Sequence, residues 1–389
     1  MIEIDGSFGE GGGQIVRTAA ALSAVTGKGV HITKIRQARP KPGLAAQHAR
    51  ALMALAEICD ARISGVTAGS SEITFTPGEI RGGRYRIEIG TAGSVTLLMQ
   101  CLMPALLCAD EPSSLQIQGG TDVQWSPTVD YFKNVFLPAL STFGTKASLE
   151  VLRRGYYPRG QGEVLLQVQP AKLMASSLVK ADGRGGNPPV MQAEQSIPAA
   201  QNMKTDQNVQ AALHMQAEQR MNPAQTMQNI QNLQKAEGSC VRVQGISHCS
   251  NLPEHVAIRQ AESAEEVLGE AGFMAQVDHE VAHLPSLGSG ITLWSGFKGA
   301  SSLGKKGFPA ERVGGTAAEE LIAELKSSAT VDVHLADQII PYLALAGGSF
   351  TVREISLHAK TNIWTARRFL DADIGIEEKN GIFWIEGLL

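Results

Sequence analysis

The densest group of chemically able residues lies between Asp5 and His48. A glycine-rich turn, Gly9-Glu10-Gly11-Gly12-Gly13-Gln14, is followed by Arg17, Arg36, Arg39, Lys41, Gln47 and His48. A strand-like start, Ile2 to Ile4, runs through these glycines into an apolar segment, Ile15 to Val25. That order places bare backbone N–H groups and a helix N-terminus where an anion can sit. Taken alone, the turn matches neither the Walker loop nor the spaced dinucleotide fingerprint, and glycines serve tight turns and close packing as readily as ligands. The cations that follow add weight. Arg36 and Arg39 come after a strand-like run, Val30 to Ile35, and before Pro40 and Pro42. Both therefore fall at a strand end, where guanidinium groups can grip phosphate bidentately.

Two further constellations lie near the C-terminus. His334-Leu335-Ala336-Asp337-Gln338 opens a predicted helix, and Ser356-Leu-His358-Ala-Lys-Thr-Asn362 is predicted to end a strand just before another. A histidine at such a junction stands where folds display catalytic groups, although a single histidine is more often structural than catalytic.

Hydrophobic periodicity predicts the elements that must position these residues. Strands are expected at Ile2 to Asp5, Val30 to Ile35 and around Ala61 and Ile73, with helices over Gln14 to Thr26 and Leu44 to Cys59. The order then recurs: strand Arg84 to Ile89, helix Ser94 to Cys108, strand Ser114 to Gln118, helix Pro127 to Phe143, and strands Ser148 to Leu152 and Val164 to Gln169. A third, partial copy has helices at Ala317 to Lys326, Leu335 to Ala346 and Asn362 to Leu370, with strands at Phe350 to Leu357 and near Ile374 and Phe383. The expected fold class is α/β (α+β), with βαβαββ repeats around a pseudo-threefold axis. Between the second and third copies, Cys240 to Ile246, His255 to Gly269 and Phe273 to Val277 suggest a smaller inserted α/β domain. The expected division is 1–177 for repeats one and two, 178–289 for the insert and 290–389 for repeat three. Residues 183–235 are rich in Gln, Met, Asn and Ala and repeat Met-Gln-Ala-Glu-Gln at 191 and 215. That composition buries little, so a solvated linker is expected there.

The whole chain narrows the function classes. With 34 Lys+Arg against 38 Asp+Glu, a net charge of −4 argues against nonspecific coating of long nucleic acid and for local contact at an end. Cys59, Cys101, Cys108, Cys240 and Cys249 show no CxxC pair, as expected of reduced cysteines in a cytoplasmic protein. The longest apolar stretch, Val95 to Ala109, is broken by Gln100 and Pro104 and is too short to span a bilayer, so no membrane partner is expected.

With these residues in place, the sequence resembles the RNA 3′-terminal phosphate cyclases. The matching segments are Asp5 to Arg17, Ile35 to Leu44 with Gln47-His48, Gly90 to Ser94 with Gln100, Gly119 to Asp122, Arg154 to Pro158, His334 to Gln338 and His358 to Asn362. The resemblance implies three βαβαββ repeats and an inserted domain. It also implies ATP-dependent conversion of an RNA 3′-phosphate to a 2′,3′-cyclic phosphate. Carried onto this chain, His358 is the nucleophile that takes AMP, and Arg17, Arg36 and Arg39 neutralise phosphate charge. Glu10 is implied as the ligand of Mg²⁺ or Mn²⁺. Gln100, Pro127, Tyr131, His334, Leu335, Ala336, Asp337 and Gln338 would line the ATP site, with Pro127 and His334 enclosing the adenine. Arg36, Arg39 and Gln47 would meet the RNA phosphate, Gln47 either by touching RNA or by holding Arg39.

The chain departs from the family pattern at Gly160-Gln161-Gly162, where three glycines are usual, and in its long Gln/Met-rich run. Two rivals share the fold. A non-catalytic cyclase-like scaffold of RNA processing lacks the histidine and much of the arginine set, which are present here. An enolpyruvyl transferase would need neither ATP nor His358. Because the Gln/Met-rich run falls outside the expected catalytic repeats, deleting Asn187 to Gln234 should leave cyclisation of a 3′-phosphorylated RNA within about twofold of the intact chain. A large loss of turnover in that deletion would contradict this division.

Overall fold

The computed structural model describes residues 1–178 and 241–388; the Gln/Met-rich run lies outside them. Three of its four sheets share one pattern. In the first unit, β1 (Ile2–Asp5), α1 (Gly13–Thr26), β2 (Val30–Thr33), α2 (Ala46–Ile58), β3 (Arg62–Ser64) and β4 (Ile73–Thr76) give the sheet order β1-β2-β4-β3. The first pair is parallel and the others antiparallel. The second unit repeats this with β5 (Gly83–Glu88), α3 (Val95–Leu107), β6 (Ser113–Gly119), α4, β7 (Lys146–Arg153) and β8 (Gly162–Gln169), in the order β5-β6-β8-β7. Helix α4 runs through Val129–Tyr131, a π-helical Phe132–Phe136 and Leu137–Ser141.

The third unit begins earlier than the sequence reading has it. A two-residue strand, β9 (Ser176–Ser177), pairs in parallel with a strand far along the chain, Gly348–Val352. Before that partner come β10 (Arg242–Ser250), α5 (His255–Glu270), β11 (Met274–Ala282), β12 (Gly288–Ser295), β13 (Lys298–Leu303) and α6 (Ala310–Lys326). The unit then resumes with α7 (Val333–Ala346), β14 (Gly348–Val352), α8 (Leu357–Phe369), β15 (Asp373–Lys379) and β16 (Ile382–Leu388), in the order β15-β16-β14-β9. The insert therefore interrupts the third βαβαββ unit after its first strand instead of preceding the unit. Its sheet runs β11-β10-β12-β13. β12, β13 and α6, which the sequence reading groups with repeat three, belong by hydrogen bonding and packing to the insert: Val313, Ala317 and Leu321 share a core with Val243, Ala264 and Leu293. Residue 289 is thus not a boundary of sheet membership.

One continuous core runs through the three units, from Ile4 to Ile385. Helix α1 is buried from Ile15 to Ala24 and is packed by α2, α3 and α8. Its small residues, Thr18-Ala19-Ala20-Ala21, let helices approach on every side, which suits a helix apolar all round. No described helix is long and apolar enough to cross a membrane.

Insert and core are joined by a buried charge cluster. Arg154 donates through Nη1 to Asp130 Oδ2 at 2.7 Å and lies 3.4 Å from Asp122 Oδ2, both on the core side. Its Nη2 reaches Glu280 on β11 of the insert at 2.9 Å. Beside it, Tyr156 Oη and His248 Nδ1 share a hydrogen bond of 2.8 Å. Removing a buried cation strands its carboxylates without a partner. Arg154→Ala should therefore lower unfolding free energy by roughly 3–5 kcal/mol in a urea titration, and a change under about 0.5 kcal/mol, the ordinary surface value, would deny the cluster that role.

Candidate active site

The glycine turn reaches its place by docking on α8. Phe8 stacks on Trp364 with centroids 4.1 Å apart and planes at 16°. Gly9 has φ +64°, and a side chain there would strike Thr361 Oγ1. The Glu10 N–H points at the same hydroxyl, 3.5 Å away. These contacts set the Glu10 carboxylate between two partners: Oε1 pairs with Arg39, and Oε2 lies 2.6 Å from His358 Nδ1. The second contact is close but lacks hydrogen-bond alignment. A carboxylate at Nδ1 favours the tautomer with its proton there, which leaves the lone pair on Nε2.

His358 is not at a strand end, as the sequence suggests. β14 stops at Val352, and His358 is the second residue of α8, whose N-cap Ser356 accepts from the Ala359 N–H at 2.9 Å. His334 occupies the same position in α7, where Asp332 Oδ1 accepts from the N–H groups of His334 and Leu335. A helix N-terminus disfavours an added positive charge. Burial pushes the His358 pKa below its ordinary value, Asp337 opposes that shift, and Arg17 and Arg39 reinforce it.

Arg17 projects from α1 into this space. It is buried, and burial brings its pKa down to about 10. Its Nη1 donates to His48 Nδ1 at 3.1 Å, and among the described residues it forms no ion pair. His48 is held neutral, first by burial and then by Arg17 and Arg36. A Cβ on Gly13 would collide with the His48 ring, so this glycine is required by close approach. Across the site, burial raises the Asp337 carboxyl to about 7, while His358, His334 and Arg17 pull it down.

The remaining predicted residues divide into groups. Gln100 Nε2 donates to Gln338 Oε1 at 2.7 Å, and Gln338 Nε2 donates to the His334 carbonyl at 2.8 Å, so α3 and α7 present these three together. Pro127 is half-buried, and its carbonyl accepts from Thr96 Oγ1. Arg36, at φ +52°, is braced by the carbonyls of Lys41 and Gly43 at 2.8 and 2.9 Å. Gln47 accepts from the Ser94 N–H at 3.3 Å, whereas Arg39 is held by Glu10. Leu335 and Ala336 send their side chains into the core. Tyr131 is buried as well, its hydroxyl bonded to both oxygens of Asp332 at 2.8 Å, which leaves its phenol no hydrogen to offer a ligand.

Sequence reasoning placed His48 and Asn362 in its candidate segments but assigned neither a role. Asn362 Oδ1 accepts from Thr18 Oγ1 at 2.9 Å and its Nδ2 donates to the Asp337 carbonyl at 2.7 Å. The signal for His48 was the pairing of a glycine, Gly13, with a histidine one helix away, which only the packing reveals.

The local field makes a titration prediction. The His358 ring should titrate with a midpoint below the ordinary 6.5 or so, followed by its ring-proton NMR shifts. Arg39→Ala removes a cation and leaves Glu10 to His358 alone, so the midpoint should rise. A midpoint at or above 6.5 in the parent chain, or a fall in the variant, would contradict this account of the field.

Comparison with known proteins bears on what the site does. Residues 8–376 match the family model described as RNA 3′-terminal phosphate cyclase. Proteins of that name from Methanosarcina mazei and Methanosarcina acetivorans are 51% and 52% identical over 384 and 386 residues, covering 98% of this chain and 99% of each relative. One from Archaeoglobus fulgidus is 45% identical over 379 residues, 97% of this chain and 98% of its own length. With a match that spans the three units and the insert alike, the chain belongs to the RNA 3′-terminal phosphate cyclase family.

Proposed function

We propose that the chain converts an RNA 3′-phosphate to a 2′,3′-cyclic phosphate at the expense of ATP, through an AMP carried on His358. In this reading the Nε2 lone pair of His358 attacks the α-phosphorus of ATP in line, an N–P bond forms, and pyrophosphate leaves. An oxygen of the RNA 3′-phosphate then displaces the imidazole, giving an RNA–adenylate anhydride. The neighbouring 2′-hydroxyl closes on the 3′-phosphorus, loses its proton and expels AMP. Each displacement splits a difficult condensation into steps with good leaving groups.

The observation that carries this reading is a buried arginine, Arg17, which has no carboxylate partner among the described residues, rests on the neutral His48 and, with burial, holds the pKa of His358 below its ordinary value. A neutral ring is nucleophilic near pH 7. A buried guanidinium beside a neutral imidazole invites an anion, and phosphoryl transfer needs charge neutralisation more than proton chemistry. Arg39, which shares the Glu10 carboxylate with His358, is placed to serve the same anion, and Arg36, whose charge is felt at His48, would meet the RNA phosphate. Gln100, Gln338 and exposed His334 offer polar edges and a flat ring for adenine, with Pro127 on the opposite face. Glu10 suits a divalent ion, Mg²⁺ or Mn²⁺, because one carboxylate next to the nucleophile is the usual protein share of a site completed by nucleotide phosphates and water. Such an ion would neutralise charge on the departing pyrophosphate. A cytoplasmic setting, with ATP and reduced cysteines, is part of the same proposal.

The test is self-labelling with ATP carrying an α-phosphate label, in Mg²⁺. The intact chain should acquire acid-labile, alkali-stable label, and His358→Ala should fall to background. An RNA with a 3′-phosphate should then discharge the label as AMP. Label in both proteins, or in neither, would reject the mechanism.

A further inference from the structure

A cleft of about 1300 Å³ separates the loops of the second unit from the insert. Its size exceeds what a small molecule requires. One end is built by Gln47 and Gly93, and Gln47 is the neighbour, on the first turn of α2, of the His48 that binds Arg17. The cleft thus begins beside the phosphate site and leads away from it.

Its walls are unusual in two ways. Trp125 is 94% exposed and is held at φ +60°, a backbone conformation that bulky residues rarely adopt. Tyr157, from the loop between β7 and β8, is 76% exposed. An indole and a phenol thus stand in water on two loops that line the same cleft. Facing them on the insert, Lys305 and Lys306 are exposed and, among the described residues, have no carboxylate within ion-pair distance. Arg259, by contrast, is taken by Glu311. Flat faces with ammonium groups that no carboxylate neutralises, the Lys305 one lying 4.8 Å from the centroid of the Phe308 ring, suit a chain of stacked bases with a phosphate at each step.

We propose that this cleft carries the single-stranded nucleotides that precede the RNA 3′-phosphate. Bases stack on Trp125 and Tyr157, and backbone phosphates pass over Lys305 and Lys306. The inference rests on the cyclase reading, because that reading supplies the strand whose end must sit by Arg17. Stacking and phosphate contact read no base, so the cleft would accept many sequences while requiring several unpaired nucleotides.

The experiment compares an eight-nucleotide RNA 3′-phosphate with a dinucleotide 3′-phosphate as substrates of the full chain, and measures ATP self-labelling in parallel. For Trp125→Ala, KM for the longer RNA should rise on the order of tenfold, the dinucleotide should be little affected, and Trp125→Phe should restore most of the loss. For the double variant Lys305→Ala, Lys306→Ala, the slope of log affinity for the longer RNA against log salt should shrink by about 1.4, at 0.7 for each phosphate contact of a single strand. Unchanged KM for the longer RNA, an equal loss for both substrates, or no rescue by phenylalanine would overturn the proposal. So would loss of self-labelling in Trp125→Ala, which would assign the indole to ATP. Failure of the parent chain to label itself at all would instead strike the cyclase reading beneath it.

Discussion

Asn362 joins three helices through one buried amide, and the geometry of the site hangs on it. Its oxygen takes the Thr18 hydroxyl of α1, and its nitrogen gives a hydrogen bond to the Asp337 carbonyl of α7, while the residue itself belongs to α8. Thr18 is the neighbour of Arg17, and Asn362 lies one helical turn beyond His358. A single residue thereby sets the arginine, the carboxylate and the histidine against one another, although they are far apart in sequence. A buried amide with both ends satisfied rigidifies its surroundings, and removing either partner strands a polar group in the core. An aliphatic residue of similar size would fill the space and leave the helices free to slide.

That arrangement gives the site its electrostatic character. Arg17 is desolvated next to His48, a ring that burial keeps neutral, so its charge is not spent on a protein carboxylate. Asp337, the acid nearest in field, is itself pushed up to about 7, so near neutrality it cancels only part of the arginine's charge. Glu10 faces Arg39 and His358 instead. The balance leaves a local excess of positive charge in a chain of net charge −4.

Much of this was legible in the sequence, and what was not has physical reasons. The helices announced themselves by periodicity, and α1 begins at Gly13, one residue before its predicted start. β9 could not be read: a strand of two residues has no period, and its partner β14 lies some 170 positions away. Without it the insert looked like a spacer between repeats, and β12, β13 and α6 had no evident sheet to join. The start of α8 was hidden because Phe350, Val352, Ile355 and Leu357 read as one apolar strand, while the signal that decides the matter is the Ser356 cap. Among the candidate site residues, the structure brings some together and seats others in the core. Tyr131 and Leu335 sit in a segment that borders the site, but sequence adjacency does not say which face of a helix looks inward.

Tyr131 shows what such a residue does instead. Asp332, buried, accepts from the Tyr131 hydroxyl of α4, from the Gly299 N–H of the insert and from the first N–H groups of α7. Burial pushes its carboxyl above the ordinary range even against these donors, so any loosening of them would weaken its hold on the charge that caps α7. Gly299 is seated against Tyr131 with no room for a Cβ, which makes the junction close as well as polar. The start of α7 is therefore fixed jointly by the core and the insert. Since α7 carries His334, Asp337 and Gln338, the Gly299 contact of the insert bears on where the helix that holds those three side chains begins.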